Sequence, residues 1–217
     1  MHSTSDFQLL YTSIQYLNTK VWEQQSSCVY KKSIITTMTK PVREWRLTVG
    51  SLSFLISNSR SLLSSSFIQA AFANEAMFWT QPVSSPSRLE LMLDNSCTFG
   101  LYVLDSASKL TQIGMARLLT DHVTFAYLTD VFIDESHRGL GLGKWLIRCV
   151  REFVEDIPDL RRMVLLSGSK AETARRTYRS ELGMTEIDPA DGGLVAMAAT
   201  KEEITSARLR KEEESRT

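Results

Sequence analysis

Apolar positions along the chain follow two periodicities, and the order in which these alternate already outlines an architecture. Short apolar-bearing runs at 52–57, 97–104, 110–119, 124–133, 163–167, 185–187 and 194–199 each predict a strand, and that at 124–133 is rich in β-branched and aromatic residues. Helical spacing takes over between them. Leu62, Leu63, Phe67 and Ile68 predict a helix over 61–71, followed by a helical turn over 74–79. Pro82 and Pro86 then break the chain, and a short helix resumes over 88–95. The strongest helix follows Gly143: Leu146, Ile147, Val150, Phe153 and Val154 share one face, and it stops near Asp156-Ile157-Pro158. A later one over 171–182 is closed by Gly183. Short polar turns join the strands from 97 to 133, which predicts an antiparallel meander. The strand at 124–133, the helix after it and the strand at 163–167 predict a right-handed parallel crossover. Residues 188–193 link the last two strands. The fold class is therefore α/β, of the α+β kind, with one mixed central sheet of six to seven strands.

Between the strand ending at Ile133 and the long helix lies DESHRGLGLGK, the densest glycine stretch in the chain. Three glycines at 139, 141 and 143 allow a ligand to approach the backbone, and Arg138 and Lys144 bracket them with positive charge. A helix that starts there presents unpaired N–H groups and the positive end of its dipole, which suits a phosphate. Two phosphate templates fail on spacing. A Walker loop needs glycine where Arg138 stands and Ser or Thr where Trp145 stands. The dinucleotide fingerprint needs Gly-x-Gly-x-x-Gly, and the three glycines here alternate instead. A glycine turn that merely joins strand to helix would not need two flanking cations.

The template Arg/Gln-x-x-Gly-x-Gly/Ala fits completely, as Arg138-Gly139-Leu140-Gly141-Leu142-Gly143. VFIDESHRGLGLGKWL thereby resembles the acetyl-CoA motif of the GNAT acetyltransferases. GMARLLTDHVTFAYLTDVFI looks like the two strands before that loop, and ARRTYRSELGM looks like the later helix with its Tyr and Gly, so the resemblance spans residues 52 to 199. It implies the GNAT fold, in which a bulge lets the central strand and the strand at 163–167 splay apart around the glycine-turn helix. It also implies acetyl-CoA as co-substrate, with no metal. Backbone groups at Val131, Phe132 and Ile133 would pair with the pantetheine arm, and a backbone N–H near Val131 would polarise the thioester carbonyl. Arg138, Gly139, Leu140, Gly141, Leu142, Gly143 and Lys144 would hold the pyrophosphate. Arg148, Arg175, Arg176 and Arg179 read equally as a 3′-phosphate site or as solvated helix faces.

Composition narrows the setting. The 217 residues are 43% hydrophobic, enough for one core, and Lys+Arg and Asp+Glu number 25 each. With no net charge, nothing favours a nucleic-acid partner, and no apolar run reaches the length of a membrane span. Cys28, Cys97 and Cys149 are too few and scattered for a disulfide framework, so a reducing, cytoplasmic location is expected. Residues 1–47 read as an N-terminal extension outside the fold and 48–200 as the catalytic domain. Residues 201–217 read as a charged tail, solvated helix or disordered.

Acyl transfer to an amine needs a neutral amine, a polarised carbonyl and a proton donor for the leaving thiolate. By the resemblance Tyr178 is that donor, although Gly183 follows five residues later where four is more usual, and Ala171 stands where an Asn is often found. Ordinary packing of Tyr178 on its helix is the competing reading. Relatives of the polyamine type carry a Glu where this chain has Thr129. Asp130 is then the candidate base, directly or through water, and it also reads as an ion-pair partner of Arg117. Asp121 and His122 are alternatives from the adjacent turn. Met77, Phe78 and Trp79 read either as core or as an aromatic wall for the acceptor. The acidic residues Asp105, Asp121, Asp130, Asp134 and Glu135 favour a cationic small-molecule amine. The function expected is an acetyl-CoA-dependent N-acetyltransferase, monomeric or homodimeric; a catalytically weak acyl-CoA-binding protein is the alternative.

Overall fold

The computed structural model describes residues 42–168, 171–186 and 194–214. The extension up to residue 41 and the 188–193 link lie outside the described residues. Strands β1 (Glu44–Val49), β2 (Leu52–Ser57), β3 (Cys97–Leu104), β4 (Leu110–Thr120), β5 (Phe125–Ile133), β6 (Arg162–Gly168), β7 (Thr185–Glu186) and β8 (Leu194–Ala199) form one sheet. Their order is β1-β2-β3-β4-β5-β6-β8-β7. All neighbours are antiparallel except β5 and β6. The helices are α1 (Ser65–Phe72), α2 (Pro86–Asp94), α3 (Leu142–Glu155), α4 (Glu172–Leu182) and α5 (Lys201–Glu214).

The sheet has eight strands where six to seven were expected, because β1 begins inside the stretch assigned to the extension. Its sequence EWRLTV alternates polar and apolar with period two, and Trp45, Leu47 and Val49 pack against the core. Trp45 Nε1 also donates to Glu152 Oε2 on α3 at 2.6 Å. The charged tail differs as well. Up to Glu214 it is the helix α5, which buries Ile204 and Ala207 against the core. Only one narrow stripe of this helix is apolar among charges, so its sequence resembles that of a solvated helix.

Pro86 starts α2 rather than breaking it, since the first helical position has no N–H bond to lose and Ser85 caps the turn by accepting from Arg88 N. The helix expected over 61–71 splits into a 3-10 turn at Arg60–Leu62 and α1, because the Ser64 side chain accepts from Phe67 N and restarts the chain there.

Two cores flank the sheet. On one face α3 buries Leu146, Val150 and Val154 against Phe99, Leu118 and Leu128. On the other, α1 and α2 bury Ile68, Phe72, Leu89 and Leu93 against Met115 and Phe132. Each such side chain contributes about 1.5–3 kcal/mol. Among the described residues no helix is long and apolar enough to cross a membrane.

Candidate active site

The site opens where the parallel ladder stops. β5 pairs with β6 from Phe125↔Arg162 to Leu128↔Leu165, after which the two strands run on without pairing. The cause lies on the other side of β5. Arg117 faces Thr129 and Met115 faces Phe132, so Asp130 and Val131 together oppose Ala116 in a β-bulge. Asp130 takes φ +49° there. A left-handed non-glycine residue costs on the order of 1 kcal/mol, and Asp is among the few that tolerate it. The bulge turns β5 away from β6 and leaves a cavity of about 1090 Å³ between Thr129–Val131, Leu165–Gly168, α4 and residues 78–83.

Tyr178 lines this cavity from α4. It keeps part of its surface open yet packs against the core, and burial pushes its hydroxyl up to about 12. The hydroxyl therefore stays protonated, as a proton donor requires. The unusual spacing to Gly183 does not turn Tyr178 away: Gly183 closes α4 in the left-handed conformation, while Arg179 points outward to Glu172 at 2.9 Å. Ala171 and Ala174 line the same wall and leave room.

Asp130 is 5% exposed and engaged on both oxygens. Arg117 Nε donates to Oδ2 at 2.7 Å and Thr129 Oγ1 to Oδ1 at 3.1 Å. Asp130 is thus an ion-pair partner of Arg117 that also lines the cavity. The alternatives in the turn do not reach it. Asp121 accepts from the Thr124 hydroxyl and from the backbone N–H groups of Val123, Thr124 and Phe125, which holds its carboxyl well below the usual carboxylate range, and His122 meets the Phe153 ring edge to face. Asp105, Asp134 and Glu135 serve local turns or Arg138. Of the five acidic residues expected to attract a cation, Asp130 alone lines the cavity.

Past Ile133 the chain turns at Glu135–His137 and enters the glycine loop. Gly139 and Gly141 have φ +82° and +76°, and a Cβ on either would stand in open space. Gly141 is the N-cap of α3 and no side chain caps that helix, so its first-turn N–H groups face outward. Gly143 differs: it is helical, and a Cβ there would make ordinary contact with Ile133 Cδ1 at 3.5 Å. Leu142 is buried in the core and offers only its backbone, whereas Leu140 is exposed. Arg138 folds back, donating to Ile133 O at 3.1 Å and pairing with Glu135 at 3.0 Å, so it braces the loop's entry. Lys144 lies 3.5 Å from Glu181. Val131 faces the cavity; Val131 and Ile133 pack toward the α3 core and Phe132 toward the opposite one.

The core and wall readings of residues 77–79 divide between them: Phe78 and Trp79 line the cavity, 72% and 49% exposed, whereas Met77 is core. One feature escaped sequence reasoning. Glu181 is fully buried and gathers Lys144, Arg151 and Lys211 from α3 and α5. Its place three residues after Tyr178, on the inward face of α4, was the available signal. Among the described residues no group of three or more His, Cys, Asp or Glu could hold a metal ion.

Known proteins resemble this chain. The family model described as Acetyltransferase (GNAT) family matches residues 68–184. A Gibberella zeae protein, named only provisionally as an acetyltransferase, is 30% identical over 152 residues, 64% of this chain and 83% of its own length. A solved GNAT-family structure from Xanthomonas campestris pv. campestris, also provisionally assigned, matches with TM-score 0.50 and 27% identity over 64% of this chain and 94% of its own. The spermidine N-acetyltransferase from Vibrio cholerae, solved in complex with CoA and spermine, matches with TM-score 0.52 over 76% of this chain and 98% of its own. At 17% identity that last likeness concerns the fold alone. With its splayed strands, glycine loop and matching family model, the chain belongs to the GNAT family of acetyltransferases.

Proposed function

We propose that this chain moves an acetyl group from acetyl-CoA to the primary amine of a small molecule by direct attack in a ternary complex. The observation that carries this reading is the cavity behind the β5–β6 splay, which has Asp130 and Val131 on one wall and Tyr178 on another. The residues present fit the coenzyme: the uncapped first turn of α3 and the open space over Gly139 and Gly141 suit a pyrophosphate. Acetyl-CoA, when bound, supplies the activated acetyl thioester.

The chain's own residues divide the remaining work. Backbone N–H groups from Gly139 to Lys144 hold the pyrophosphate, and backbone groups from Val131 to Ile133 align the pantetheine arm as a neighbouring strand would. The Val131 N–H polarises the thioester carbonyl. Asp130 takes the proton of the incoming ammonium group, directly or through a water. Tyr178 gives its proton to the departing sulfur, a role suited to a hydroxyl that burial keeps protonated. The free, buried thiol of Cys149 suits a reducing, cytoplasmic setting.

One observation favours a second reading, a coenzyme-binding protein with little turnover: both oxygens of Asp130 are already engaged by Arg117 and Thr129. Free-thiol release from acetyl-CoA against a panel of amines separates the two. We expect release that depends on an amine and falls by roughly 10²–10⁴ in Tyr178→Phe with little change in KM. Thermal stabilisation by acetyl-CoA with no release on any amine would instead support the binding protein.

A further inference from the structure

The acceptor half of the cavity carries information about the body of the amine, separate from the reacting nitrogen. Among the described residues that line it, Arg117 and Asp130 are the charged ones, and they neutralise each other at 2.7 Å. The acidic residues that could bind the further ammonium groups of a polyamine sit in turns elsewhere. What the cavity offers instead is apolar and aromatic. Phe78 and Trp79 form an edge-to-face pair, centroids 5.1 Å apart and planes at 88°, and both remain exposed although Met77 beside them is fully buried. Phe78 also reaches across the opening, within 3.6 Å of where a Cβ on Gly168 of β6 would stand. Tyr127 and the half-exposed Leu166 continue the apolar surface toward Asp130.

Large exposed apolar side chains grouped on a concave wall mark a ligand surface. An aromatic pair with free ring faces and edges offers stacking and edge-to-face contacts to another ring. We infer that the acceptor is a primary monoamine on an aromatic body, its ring held by Phe78 and Trp79 and its nitrogen directed to Asp130. The inference rests on the acetyltransferase reading for the direction of the nitrogen, and on the cavity's charge balance for the body.

The test is equilibrium binding, which needs no turnover. Phenethylamine and spermidine are titrated by calorimetry into the full chain with coenzyme A present. We expect phenethylamine to bind at least about tenfold more tightly than spermidine, and Trp79→Ala to weaken phenethylamine about tenfold while leaving spermidine unchanged. Trp79→Phe should recover most of the loss. Trp79 is half exposed, so neither variant threatens folding. Spermidine binding as tightly as phenethylamine, or a phenethylamine affinity indifferent to Trp79→Ala, overturns the inference. Either result leaves the transferase reading to the thiol-release experiment, so the two fail separately.

Discussion

The two halves of the proposed site are built from different atoms. The side assigned to the coenzyme is made of backbone: a bulged strand edge, two glycines at positive φ and the first turn of α3. The acceptor side is made of side chains drawn from distant parts of the sequence, with Phe78 and Trp79 before the meander, Arg117 on β4 and Tyr178 on α4. Backbone recognition needs a fixed pattern of glycine and helix start, and tolerates change elsewhere. Side-chain recognition can be rebuilt one residue at a time. This contrast explains why the coenzyme end carries a compact motif and the acceptor end carries none.

The contrast can be broken or sharpened by substitution. The largest effect on stability is expected at the junction of the two sides. Asp130→Asn leaves Arg117 without its counter-charge at a mostly buried site, and denaturant unfolding should record a loss of about 3 kcal/mol. The same variant should shift the pH–rate profile if Asp130 is the base, and an unchanged profile removes it from the mechanism.

On the backbone side, Gly141→Ala forces an alanine into φ +76° and sets its methyl in the open space over the loop. The strain costs about 1 kcal/mol, and acetyl-CoA affinity, followed by thermal shift, should fall roughly tenfold or more. Gly143→Ala is the control with the smallest effect. Its methyl meets Ile133 at ordinary contact distance in a helical conformation, so stability should change by less than about 1 kcal/mol and coenzyme affinity little. Equal losses in both variants would contradict a backbone-built site.

A pH effect falls between these. Burial raises Tyr178 from 10.0 to about 12 and also raises Tyr102 and Cys149. Each group's folded state holds its proton longer than the unfolded chain does. The stability they contribute is therefore intact below their unfolded values and is lost as pH rises toward the folded ones. Alkaline unfolding should steepen from about pH 10 upward, and Tyr178→Phe should soften that limb.

Much of the fold was legible because its signals are local. The meander, the crossover and α3 follow from period-two and helical spacing, and β3 and β8 fall at the expected bounds. What was missed lay where local signals are weak or misleading. β1 sat beside a polar stretch, Pro86 resembled a break, and α5 showed one thin apolar stripe among charges. At the site, the glycine loop was readable residue by residue. The exposure of Phe78 and Trp79 was not, because a short aromatic run looks the same whether it faces a core or a cleft.

By itself the sequence determined the order of the strands from β2 to β8, the position of the turn at 138–144 and the family it resembles. Each of these depends on residues close together in the chain, where backbone preference and periodicity act. Only the tertiary structure decided that Asp130 occupies a left-handed bulge against Arg117, that Tyr178 rather than Arg179 faces the cavity, and that Glu181 gathers three cations. Those outcomes are set by which strands pair, where a ladder ends and which helix faces pack together, and sequence spacing does not encode such distances.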